Sequence, residues 1–244
     1  MMKRLCDWLL AFVLSGLFAL LGCWQLQRMQ TKQALLAQVP PDHHQAVSLL
    51  HAQQSVPSLH WVRDWLHFQP VTVLLDNQWR AGHIGVKVYQ LAYSIDRTQA
   101  ILVDLGWLPL PGNRQLPLIT PLDGTIEVQG LWAPPPSPGI TLGPALAATA
   151  QDHVWLTTYL DSQAIRMHLN LPVSHLSHYI LRLDPALPLG YARDLDLLPN
   201  TLPPERHLGY AVQWFALALT VLLLATVLHW RSARAWRVAN AKER

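Results

Sequence analysis

The sequence predicts a membrane protein: two terminal transmembrane helices flanking an extracytoplasmic α+β domain with a mainly antiparallel sheet or partly closed barrel. Three observations carry that expectation. Two long uncharged apolar runs lie near the two ends of the chain. Basic residues gather outside those runs. The stretch between them breaks into short β-rich runs separated by proline and glycine, with few helical patterns.

The hydrophobic share, 51% of 244 residues, is ordinary, but its distribution is not. No charge occurs from Trp8 to Gln27 or from Gly209 to Trp230. A hydrocarbon layer about 30 Å thick needs roughly 20 mostly apolar residues at 1.5 Å each, and both runs reach that length. Two other readings of the first run stay open. Lys3 and Arg4 with the following apolar core resemble a cleaved signal peptide, although no small-residue cleavage site follows. Leu20-Leu21-Gly22-Cys23 resembles a lipoprotein box, with bulky Trp24 as an awkward neighbour for lipidation.

Charge sets the expected orientation. Lys3 and Arg4 stand at one end, and Arg231, Arg234, Arg237, Lys242 and Arg244 at the other. The residues between the helices hold 11 basic and 13 acidic side chains. The positive-inside rule therefore places both ends in the cytoplasm. The expected division is a cytoplasmic tip at 1–7, a first span at 8–27, a periplasmic or intermembrane-space domain at 28–207, a second span at 208–230, and a basic tail at 231–244. The formal charge of +3 resides in the two ends, where it meets anionic lipid, and is no nucleic-acid signal. Cys6 and Cys23 are the only cysteines, so the central domain has no cysteine-based metal or redox site.

Along the domain, Gln38 to Gln45 reads as a linker. Ser58 to Phe68 reads as a helix ended by Pro70, with Trp61 and Trp65 sharing one face and Arg63 and His67 another. Val71 to Leu75 is β-rich, Gly82 to Gly85 a turn, and Val86 to Tyr93 a partly alternating strand. Ile101 to Trp107 and Ile126 to Trp132 are further strands, with Gly130 expected at a bend or bulge. Ala133 to Ala150 is a long loop, and His153 to Tyr159 is ambiguous. Leu160 to Leu169 is a candidate short helix and Tyr179 to Leu183 a candidate strand. The proline-rich stretch 185–204 returns to the membrane.

No P-loop, dinucleotide-binding or nucleophile-elbow pattern occurs, which argues against an enzyme. His43-His44 fits a solvated linker better than a metal contact. His51, His60 and His67 lack a helical ligand spacing. His207 stands at the mouth of the second helix, where a neutral imidazole can ligate haem iron. Tyr210 and Trp214 share a helical face beside it. They read equally as an interfacial aromatic belt, as do His229 and Trp230 at the far end. At the end of the first helix, Gly22 permits close helix approach. Arg28 can meet an anion, a lipid phosphate or a haem propionate, or simply snorkel at the interface.

Gly22, Trp24, Gln25, Arg28 and Lys32 form a G-x-W-Q-x-x-R-x-x-x-K pattern. His207, Leu208, Tyr210, Ala211, Trp214, Phe215 and Ala218 mark the return into the membrane. Between them lie Gly82, Gly85 and Val88-Tyr89, then Ile101 to Pro109. In this order these features resemble the Surfeit locus protein 1 family, over residues 22 to about 218. Asp104-Leu105 departs from the Asn-Arg more usual there. The resemblance implies an assembly factor for haem–copper cytochrome c oxidase. It would deliver or stabilise haem a during maturation of the catalytic subunit, with haem a synthase and membrane lipids as further partners. It assigns the iron contact to His207, with Trp24, Arg28, Tyr210 and Trp214 in support. Ligation needs a neutral imidazole, so acidification should weaken it. The rival expectation is a membrane scaffold that holds an oxidase intermediate and binds no haem. The resemblance places the chain in the bacterial inner membrane.

Overall fold

The computed structural model describes residues 2–40, 45–55, 59–138, 145–171, 176–195, 197 and 201–242, and the side chains of these from residue 7 to residue 234. Two compact units result, one from the two ends of the chain, Met1–Leu36 with Leu202–Arg244, and one from Ala37–Thr201.

The first unit is a helix pair. Helix α1 runs Met2–Ala37 and helix α4 Pro204–Lys242. Within them, Asp7–Ala37 and Pro204–Arg234 are each long and apolar enough to cross a membrane. Large apolar side chains such as Leu9, Leu20, Leu223 and Leu228 are exposed, whereas Ala11, Ser15, Ala211 and Ala218 are buried. That inversion is the pattern of helices packed in lipid, where small residues let backbones approach. On α4 the buried positions Pro204, His207, Ala211 and Ala218 fall on one face at helical spacing.

The second unit is a mixed sheet. Its strands are β1 His60–Arg80, β2 His83–Ser94, β3 Ala100–Pro109, β4 Gly124–Ala133, β5 Ala147–Ala148, β6 Val154–Thr157 and β7 Leu176–Leu183. Short helices α2, Leu49–Gln54, and α3, Ser162–His168, accompany them. The strand order is β2-β3-β7-β4-β1-β6-β5, with β1 also paired to β2. Most pairings are antiparallel, but β1–β6 and β3–β7 are parallel. Strands β2 and β3 are buried almost throughout, because successive residues face two cores. Val86, Val88, Ile101 and Val103 enter one core; Tyr89, Leu91, Leu102 and α3 residue Ile165 enter the other.

The expected helix at Ser58 to Phe68 is instead the first half of β1. Ser58 itself lies outside the described residues. From His60 to Phe68 this segment pairs with β4 in unbroken register, His60 opposite Trp132 and Phe68 opposite Gly124. Leu66 and Phe68 alternate into the core while Trp65 is 50% exposed. Pro70 does not end the element. It sits where the β1–β2 register shifts, between Phe68 and Thr72, so its missing N–H costs no regular ladder bond.

Other expectations change in detail. His83 opens β2, and the turn is Ala81-Gly82, both with positive φ. Gly130 marks no bulge, since the β1–β4 register runs through it; a Cβ there would lie 2.9 Å from the carbonyl carbon of Arg182. Its role is close backbone approach between β4 and β7. The ambiguous stretch after His153 is β6. Helix α3 forms as expected, with the Asp161 carboxylate accepting from the N–H groups of Gln163 and Ala164. Helix α2, capped by Ser48, was not apparent in the sequence pattern.

Candidate functional site

The site is built on the helix pair. Pro204 suits the first turn of α4, where its missing N–H has no intrahelical partner anyway. His207 follows on the face turned toward α1 and is only 7% exposed. Two contacts bring α1 and α4 together below it. A Cβ at Gly22 would lie 2.7 Å from the Phe215 ring, so any larger residue there must push that ring aside. The Ser15 hydroxyl donates to the Ala218 carbonyl at 3.0 Å.

One turn beyond Gly22, Gln25 meets His207. Gln25 Oε1 and His207 Nδ1 are 2.7 Å apart. An amide oxygen only accepts, so Nδ1 carries the proton, and the neutral ring keeps its lone pair on Nε2. Nε2 is buried and has no hydrogen-bond partner. A buried acceptor left unpaired is costly, on the order of 1–3 kcal/mol, and native structures usually have a reason for one. The charges of Arg28 and Lys32 act on the same ring, and Lys32 Nζ donates to the Leu202 carbonyl.

The supporting residues divide. Trp214 lies two turns along α4 from His207 and stacks on Phe18, centroids 5.7 Å apart and planes at 24°. Trp24 is 51% exposed, Tyr210 is 40% exposed, and Arg28 is exposed as well. The structure thus joins His207 to Gln25 and places Trp24, Arg28 and Tyr210 at the surface of the helix pair. Gln25 has no distinguishing chemistry in the sequence. Its only signal there is its fixed place between Trp24 and Arg28.

The other end of the helix pair makes a useful control. Trp8 Nε1 donates to His229 Nδ1 at 3.3 Å. That bond uses the Nδ1 lone pair, so the proton of the neutral ring is on Nε2. His229 borders a groove of about 530 Å³ lined mainly by leucine, alanine and valine, but its Nε2 offers a proton rather than a lone pair. The two membrane-end histidines therefore carry opposite tautomers.

The remaining histidines do not converge. His51 and His60 meet edge to face at 6.4 Å. His67 instead contacts Thr125 Oγ1 and Arg97 Nη2. His43 and His44 lie outside the described residues. Among the described residues, no group of three His, Cys, Asp or Glu side chains is placed to hold a metal ion.

The chain matches the model of the SURF1 family over residues 12–219. It is 29% identical over 231 residues to a SURF1-like protein of Rickettsia bellii, covering 91% of this chain and 89% of that protein. A SURF1-like protein of Rickettsia felis is 28% identical over 215 residues, covering 85% and 89% respectively. The match takes in Gly22, Gln25 and His207 together with the whole sheet unit, and the chain belongs to the SURF1 family.

Proposed function

We propose that this chain is a membrane-bound assembly factor for haem–copper cytochrome c oxidase. It binds haem a through His207 as cargo and delivers or stabilises it while the catalytic subunit matures. Family membership supports the general role in oxidase maturation. One observation carries the haem reading: His207 presents an unpaired Nε2 lone pair, with its tautomer set by Gln25. Iron ligation requires such a lone pair, and an orienting partner on the other nitrogen is the usual device for fixing it.

Gln25 acts by holding the ring. Trp214 and Phe18 give an apolar wall on the same side of α4, and Arg28 offers a cation to a propionate. Nε2 is covered by protein, so uptake requires side chains over it to move. That suits a carrier that must also release its cargo. In this reading both chain ends face the cytoplasm, and the sheet unit lies across the inner membrane from them. The sheet unit, read as a partly closed barrel, is offered to oxidase subunits or haem a synthase as a docking body; the additional β1–β2 pairing supports that reading.

The burial of Nε2 also favours a second reading, in which His207 only bolts two helices of a scaffold together. Haem content separates the two. Wild type and His207→Ala are co-expressed with haem a synthesis, purified in mild detergent, and compared by pyridine-haemochrome spectra. Near-stoichiometric haem a in wild type, largely lost in the variant, is the expected result. Equal haem in both removes His207 as the ligand. Folded wild type without haem transfers the weight to the scaffold.

A further inference from the structure

Buried charge on the sheet meets opposite charge. Asp104 on β3 accepts from Lys87 on β2 at 3.2 Å and faces Arg182 on β7 at 3.5 Å. The imidazole of His207 in the helix pair has no such company. Its Nδ1 proton goes to an amide, Gln25 Oε1 at 2.7 Å, and no carboxylate bonds the ring among the described residues. Glu205 stands only two positions from His207 on α4, and residues so spaced on a helix do not share a face.

The charges that do reach the ring are positive, those of Lys32 and Arg28. Lys32 follows Gln25 by seven residues, nearly two full turns, so the two side chains leave α1 on one face about 10 Å apart along the axis. Arg28, three residues from Gln25, is a neighbour on the same side. Lys32 is held in place, since its Nζ donates to the carbonyl of Leu202, just ahead of α4. The partner of the ring is thus neutral, and the charges around it are cationic.

The consequence rests on the haem reading of His207 and concerns how firmly the ring would hold iron. An imidazole gives iron its Nε2 lone pair, and the density it gives depends on what holds the Nδ1 proton. A carboxylate there draws on the proton and makes the ring a stronger donor, which favours ferric iron, the form with the greater positive charge. An amide oxygen carries no charge and accepts less strongly, so it leaves the ring a weaker donor. Nearby cations act in the same direction, opposing the extra positive charge of ferric iron, the more so where water is excluded. A glutamate in place of Gln25 has the same reach and accepts the same proton. Orienting the ring therefore does not by itself call for an amide. A site that must give up its cargo gains from a weak bond, whereas a permanent haem site does not.

We propose that Gln25 is a positioning residue that also sets ligand strength: as a neutral partner beside Arg28 and Lys32, it keeps His207 a weak donor, so the site favours ferrous haem and releases ferric haem readily. Wild type, Gln25→Glu and Lys32→Gln are loaded by co-expression with haem a synthesis and purified in mild detergent. Two properties are read, the reduction potential of the bound haem and the rate at which ferric haem passes to excess apomyoglobin. Gln25→Glu is expected to show a lower potential and to lose ferric haem roughly tenfold more slowly. Lys32→Gln, whose amide can still donate to Leu202, is expected to show a lower potential as well. A Gln25→Glu protein that matches wild type in both properties overturns the proposal and leaves Gln25 as an orienting group alone, with the haem reading intact. Should that variant not fold, Lys32→Gln decides, and an unchanged potential rejects the proposal. Folded wild type that carries no haem removes the haem reading, and the proposal falls with it.

Discussion

The two units bury opposite things. In the sheet unit the large apolar side chains are inside, Leu66, Leu74, Leu131 and Leu181 among them. In the helix pair such side chains point out, and glycine, alanine and serine point in. The same residue types are sorted by different solvents: water drives leucine into the sheet's cores, whereas lipid exerts no such drive and leaves close packing to decide. Polar groups differ in the same way. The sheet buries a charged cluster across three strands, while the helix pair buries uncharged polar groups, the imidazole of His207 and the hydroxyl of Ser15.

The sharpest way to test that contrast is to remove the sheet's central carboxylate. Asp104→Ala leaves Lys87 and Arg182 buried without their shared partner and should cost about 3–5 kcal/mol. Denaturant unfolding followed by a sheet-specific circular-dichroism signal measures it; a loss below about 1 kcal/mol would mean the cluster behaves like a surface pair. In the helix pair the corresponding weak point is size, not charge. Gly22→Leu must push the Phe215 ring aside, with a cost of about 1–3 kcal/mol, and should separate Gln25 from His207. Spin labels on the two helices would report a longer distance, with the sheet signal unchanged. An unaltered distance would show that Gly22 is not the limiting contact.

Smaller effects belong to single elements. Asp161→Ala removes the cap of α3 and should lower sheet-unit stability by about 1 kcal/mol; unchanged unfolding would show that Ile165 packing alone holds α3. The hydroxyl of Ser94, then the N–H and hydroxyl of Thr98, hold the Asp96 carboxyl below its ordinary 3.8. Because the folded value is the lower one, this carboxylate's contribution is present above pH 3.8 and is lost as pH falls through the folded value. Protection of the Thr98 amide, corrected for intrinsic exchange, should drop over that acidic window and stay level above it. Protection that ignores acidification would assign the turn to its backbone bonds alone.

Much of this was legible along the chain. Ile101 to Trp107 and Ile126 to Trp132 are rich in β-formers and became β3 and β4, and both apolar runs lie within long helices. The error at β1 had a physical source. Trp61 and Trp65 are spaced like neighbours on a helix, and Pro70 looks like a stop unless the register shift that accommodates it is known. Both features are set by β4 and β2, which no local pattern reveals. At the site, His207 was visible from its chemistry and motif. Gln25 was visible only as a member of its motif, because its role lies in a partner 182 residues away. The cluster around Asp104 was hidden for the same reason, its members coming from three strands.

That separation of 182 residues also sets the order in which the molecule is made. On a growing chain, Gln25 waits through the synthesis of every strand before His207 exists to meet it. Strand β1 has local company from β2 early, but its first half waits for β4 and its second half for β6. Long-range pairings of this kind form late, since chain closure must precede any gain from the contact. The imidazole is therefore oriented only after the last helix has arrived. A truncated or stalled chain holds half of the pair and cannot set the ring.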